Sequence, residues 1–132
     1  MNDQFVPDTH ALFFYLADSS KLNPGARDVF DRFNKGKVTL IIPWIVIAEL
    51  FWLARKRASS MDFNAEFHKL QNHPQVIFVG LDVEQVLNFS NLDRVTEMHD
   101  RIIVGVAYKL GIPLITRDRN INDSGYVTTV WN

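Results

Sequence analysis

The chain has 132 residues, enough for one domain with one sizeable core. Lys and Arg number 14 against 15 Asp and Glu, and a net charge of -1 excludes a protein that coats nucleic acid by charge alone. An aromatic share of 12% excludes a disordered acidic tail, and the absence of cysteine excludes disulfide scaffolds, zinc-thiolate sites and thiol catalysis.

The opening Met-Asn-Asp-Gln-Phe carries an early acid and no basic segment, which argues against a secretory signal. The most apolar stretch, residues 38–54, is broken by Pro43 and Glu49, whereas a spanning helix needs about 20 largely apolar residues. A soluble cytoplasmic protein without a membrane partner is the expectation, built as a single domain over residues 1–132.

In chain order, Phe5-Val6 predicts a brief strand ending at Pro7, which has no N–H to donate, and Asp8. Leu12, Phe13 and Leu16 recur at helical spacing. Asn23-Pro24 is a helix start, and Val29, Phe30 and Phe33 form that helix's buried stripe, closed near Lys35-Gly36. Residues 38–42 are β-branched and apolar, as in a strand buried on both faces.

Pro43 stops that strand and opens a helix through Glu49 toward Arg57. Ser59 and Asp62 are spaced as a capping box for the next helix, lined by Phe63, Phe67 and Leu70. Residues 76–79 are a strand, Asp82 and Gln85 a second capping-box pair, and residues 98–110 a helix stopped by Gly111. Residues 113–116 form a strand that leads to Asp118, and residues 127–131 a last one. The polar loop 88–96 is expected to be the mobile part. Phe13, Phe14 and Tyr15 are expected in an exposed patch, and Trp44 and Trp52 in the core or a dimer contact.

Strands that alternate with helices, and are themselves apolar, imply a mainly parallel sheet covered on both faces: an α/β fold. Four acids fall in telling places. Asp8 and Asp118 follow strands, where open α/β sheets place their ligands, although acids there also serve as plain helix caps. Glu49 lies among Ile45, Val46, Trp52 and Leu53 on its helix, so its carboxylate needs a cation or a proton. Asp100 sits above Ile103, Val104 and Ala107 near a helix start, where the dipole favours an acid. If the first and fourth strands are neighbours, all four converge. Such a cluster requires cations or protons between its members, and an all-oxygen site favours Mg²⁺ or Mn²⁺ over zinc.

The segments around these acids carry a resemblance. Val6-Pro7-Asp8-Thr9-His10-Ala11-Leu12, Ile47-Ala48-Glu49-Leu50, His99-Asp100-Arg101-Ile102-Ile103 before Leu110-Gly111, and Leu114-Ile115-Thr116-Arg117-Asp118 resemble, in order, the four motifs of PIN-domain nucleases. Among these, the chain resembles the VapC-like toxins of type II toxin–antitoxin pairs. The resemblance implies a three-layer α/β/α fold and a Mg²⁺- or Mn²⁺-dependent endoribonuclease. It carries Asp8, Glu49, Asp100 and Asp118 over as the catalytic, metal-binding acids. It implies a homodimer, a small antitoxin whose tail lies across the active groove, and cleavage leaving a 5′-phosphate and a 3′-hydroxyl. Pro7 is a departure expected to shorten the first strand, and Asp123 is a further acid close to Asp118.

Thr9, Thr116, Arg117 and Arg119 flank these acids and are the candidate substrate-binding residues. Either threonine can orient a phosphate or a carboxylate, or equally cap a helix or turn. His10 and His99 are expected in surface or packing roles, and Arg55-Lys56-Arg57 as favourable charge at a helix end, on the rim of the site at best. A receiver domain would need an N-terminal acidic pair and a late lysine; Asp3 makes no such pair with Asp8, and no lysine follows Lys109. Dinucleotide and Walker-type phosphate loops are absent. A PIN-fold processing nuclease outside a toxin–antitoxin pair, and a metal-free binding module, stay open as alternatives. With four of the 15 acids assigned to one site, the other 11 stand against 14 bases, and the remainder of the chain is mildly basic.

Overall fold

The structure, a computed structural model, describes residues 3–56 and 61–132. Five strands form an all-parallel sheet in the order β3-β2-β1-β4-β5: β1 Gln4–Pro7, β2 Thr39–Pro43, β3 Val76–Val79, β4 Leu114–Ile115 and β5 Thr129–Val130. Between them run α1 Thr9–Leu16, α2 Pro24–Asn34, α3 Trp44–Lys56, α4 Phe63–Gln71, α5 Val83–Leu87, α6 Met98–Leu110 and α7 Arg119–Ser124. Successive residues of a strand face opposite sides, yet Phe5, Val6 and Pro7 are all buried, as are Leu40 to Pro43. Both faces of the central strands are therefore covered, which makes the fold three layers, α/β/α.

Pro7 stays inside β1. The Val6 and Asp8 amides donate to Pro113 and Ile115 of the β4 side, so the alternation turns residue 7's nitrogen toward β2. There the β1–β2 register ends at Phe5 opposite Leu40, and the missing N–H interrupts no ladder.

Local signals acted as the sequence implies at most helix ends. Asp82 and Gln85 complete their capping box, and Gly111 takes the left-handed conformation (φ +66°) that closes α6. Asp62 caps α4 by accepting from the Ala65 amide; Ser59, its expected companion, and Arg57 lie outside the described residues. Asn23 occupies the cap position of α2, but its side chain donates to Asn132 instead.

Several expectations are corrected. Phe13 and Phe14 are buried, and Tyr15 stacks on Phe30 with centroids 4.3 Å apart, so this run is no exposed patch. Trp44 and Trp52 are exposed, which overturns the core half of their expected role and leaves the dimer contact open; Trp44 lies flat on Phe78. The 88–96 loop is anchored. It holds a 3-10 turn over Phe89–Leu92, buries Leu92 and Val95, and receives Arg101, which donates to the Val95 carbonyl at 2.7 Å and the Phe89 carbonyl at 3.0 Å. α7 was not foreseen; Ile121 is its one buried apolar side chain.

Candidate active site

The sheet order reverses at β1: β2 and β3 lie on one side of it, β4 and β5 on the other. Ligands of open α/β sheets bind at the carboxyl ends of strands at such a switch point. Asp8 leaves β1 and Asp118 follows β4 there, and each caps the next helix. Asp8 accepts from the Ala11 amide at 2.9 Å, while Asp118 Oδ1 accepts from the Asn120 and Ile121 amides at 2.8 and 3.2 Å. The cap and ligand readings of these acids are thus not exclusive, because a carboxylate has two oxygens.

α3 and α6 supply the other two acids. Glu49 is half-buried on α3, on a face that opens into the site rather than into the core. Asp100 stands in the first turn of α6, its amide donating to the Glu97 carboxylate that caps the helix (2.7 Å). All four acids line one cleft of about 660 Å³.

Hydroxyls hold the acids in place. Thr9, buried, donates to Glu49 Oε1 at 2.6 Å, and the other oxygen, Oε2, lies 3.2 Å from His99 Nδ1. Thr116, equally buried, accepts from the Asp118 amide at 3.1 Å and hydrogen-bonds the Asp8 carboxylate. Both threonines therefore orient carboxylates.

The electrostatics record the crowding. Burial pushes Asp8 up from the ordinary 3.8 to about 6; the Thr116 and Ala11 hydrogen bonds oppose this, and the charge of Asp118 adds to it. Asp100 is pushed up to about 6 by burial, then by the charges of Glu97, Asp118, Glu49 and Asp8 in that order. Each is a carboxylate short of positive charge.

Among the described residues, no group of three or more acidic or histidine side chains stands in an arrangement that could hold a metal ion. The donors nonetheless fit a hard divalent cation in chemistry. They are carboxylate oxygens, two of them unusually protonation-prone, and Mg²⁺ binds through one or two carboxylates while keeping several waters.

Basic groups flank the acids unevenly. Arg117 lines the cleft with its guanidinium 4.8 Å from the centre of the Phe14 ring. Arg119 lies in an adjoining groove of about 440 Å³ that shares Arg117 and Asp118 with the cleft. Lys56, Trp52, His10 and His99 also line the cleft, whereas the sequence points to the rim for Lys56, the core or a dimer contact for Trp52, and surface or packing roles for the histidines. A signal for two of them was present: Trp52 and Lys56 stand three and seven residues after Glu49, on its helical face.

Fold and site together define an α/β domain with an acidic cleft at the switch point of a parallel sheet. The chain belongs to the PIN domain family, whose model matches residues 5–125. No curated protein sequence matches it significantly. Among solved structures it is similar to VapBC2 of Rickettsia felis bound to a DNA fragment from its promoter, at 15% identity and a TM-score of 0.69, covering 98% of this chain and 99% of that one. It is similar to VapC20 of Mycobacterium tuberculosis, a sarcin-ricin loop cleaving toxin, at 14% identity and a TM-score of 0.70, covering 93% and 96%. FitAcB of Neisseria gonorrhoeae matches at 15% identity and a TM-score of 0.65, covering 97% and 96%. At these identities the likeness is one of fold.

Proposed function

We propose that the chain is a Mg²⁺- or Mn²⁺-dependent endoribonuclease, acting in the cytoplasm as the toxin of a toxin–antitoxin pair. The observation that carries this reading is the convergence of Asp8, Glu49, Asp100 and Asp118, from four separate elements, on one cleft where two of them are pushed up to about 6. Membership of the PIN domain family supports the nuclease part, and the toxin complexes among its structural neighbours support an antitoxin partner.

Asp8 and Asp100 would hold the principal metal, with Asp118 completing the set. Bound there, the metal supplies an activated water and offsets charge developing on the scissile phosphate. Glu49, fixed by Thr9 and His99, holds a water or a second ion. Arg117, with Arg119 in the adjoining groove, meets substrate phosphates as fixed, planar cations. Thr9 and Thr116 serve the substrate indirectly, by keeping the acids aimed. The working form is a homodimer.

The test is cleavage of RNA by the purified chain with Mg²⁺ or Mn²⁺. Expected products carry 5′-phosphates, and Asp100→Ala abolishes both cleavage and the growth arrest caused by expression. Full activity in Asp8→Ala, or activity that survives chelation, overturns the reading.

A further inference from the structure

Trp52 is 65% exposed and lines the cleft. Its one aromatic neighbour among the described residues is Phe51, met edge-to-face with centroids 5.4 Å apart. An indole left this open at a site of chemistry retains most of its apolar area for something that enters the cleft. Along α3, Glu49, Trp52 and Lys56 follow one another a turn apart on the same face, so the acid, the ring and the cation form a stripe leading away from the proposed metal. Arg55 is turned to the Phe51 ring, 5.4 Å from its centre, whereas Lys56 lines the cleft and makes no ion pair with a described residue.

An aromatic face beside a cation is the arrangement that tracks single strands, because every base has a face to stack and every linkage a charge. Bases within a duplex are already covered on both faces, so only an unpaired or extruded nucleotide can use the ring. Resting on the nuclease reading above, we propose that Trp52 stacks an unpaired base next to the scissile phosphate, with Lys56 on the neighbouring phosphate.

The test compares wild type, Trp52→Ala and Trp52→Phe on a single-stranded oligoribonucleotide whose cut site has been mapped. A second substrate carries an abasic nucleotide beside that site. Trp52→Ala is expected to raise KM by about tenfold or more with kcat little changed, and Trp52→Phe to restore most of the loss. On the abasic substrate the variants and wild type should converge. Wild-type KM in Trp52→Ala overturns the proposal. So does equal cutting of a fully paired duplex by wild type. A Trp52→Ala chain whose oligomeric state changes in light scattering also overturns it, since the ring then belongs to a protein contact. Failure of wild type to cut any RNA overturns the nuclease reading itself, and this inference with it.

Discussion

The Thr9 hydroxyl donates to Glu49 Oε1 at 2.6 Å, joining the residue after the β1 acid to the α3 acid. With His99 on the other oxygen, Glu49 has both oxygens engaged by the protein. Partners that orient an acid in this way govern metal affinity without touching the metal. Thr9→Val keeps the buried shape and removes the donor. Expected are an unchanged fold by circular dichroism and a loss of about 10–100-fold in Mn²⁺ affinity or cleavage rate. Thr9→Ser should recover most of it.

Asp8 and Asp100 bind their protons more tightly in the folded chain than in the unfolded one, at about 6 against 3.8. Between roughly pH 4 and 6 the native state therefore carries more protons, and the metal-free chain loses stability as pH rises through that window. This is the reverse of a salt-bridged carboxylate. Thermal melts in chelator should show these two acids favouring the lower end, and Mn²⁺ should raise Tm more at pH 7 than at pH 5. Asp8→Asn keeps a good helix cap while removing the charge, and should stabilise the metal-free chain at pH 7 by about 1–3 kcal/mol. A metal-free Tm unchanged by that substitution would contradict the assignment.

The features legible in the sequence are the ones settled by neighbouring residues. Asp82 with Gln85, Gly111, and the apolar runs of β2 and β3 each need only a few residues of context, and each stands where expected. Glu49 and Asp100 were legible because each interrupts an apolar helix face, and Asp8 and Asp118 because each follows an apolar strand. Their meeting was only conditional, since it depends on β4 pairing with β1, a contact between distant segments. α7 escaped notice because Ile121 alone cannot set a period, and its cap, Asp118, had already been assigned to the site. The 88–96 loop looked mobile because Leu92 and Val95 are outnumbered by polar neighbours, and its anchor, Arg101, belongs to another element. Phe13-Phe14-Tyr15 looked exposed because three adjacent aromatics leave no polar face; α1 is instead enclosed between α2 and α3 contacts.

Arg101 therefore carries a structural role one residue from a proposed ligand. Arg101→Met retains much of the apolar stem and deprives the Val95 and Phe89 carbonyls of their donor. The expected cost is about 1–3 kcal/mol in denaturant unfolding, from loss of charged hydrogen bonds to partly buried carbonyls. Amide exchange should accelerate in residues 88–96 before the rest of the chain. Mn²⁺ affinity should stay near wild type; a collapse of metal binding with the loop still protected would place Arg101 in the site instead.

Asp118 serves as helix cap and proposed ligand at once, and two substitutions separate the roles. Asp118→Asn preserves an oxygen able to accept from the Asn120 and Ile121 amides while removing the charge a divalent ion requires. Asp118→Ala removes both. If the acid serves only as a cap, Asn is nearly silent in cleavage and Ala lowers stability by about 1 kcal/mol. If it also serves the metal, Asn loses cleavage almost as fully as Ala does, yet melts at or above the wild-type temperature without metal. Calorimetry with Mn²⁺ alongside metal-free melts reads both quantities on the same samples. The expected pattern is weak metal binding in both variants and a lowered melting temperature in Ala alone, because the cap is made by hydrogen bonding and the metal is held by charge.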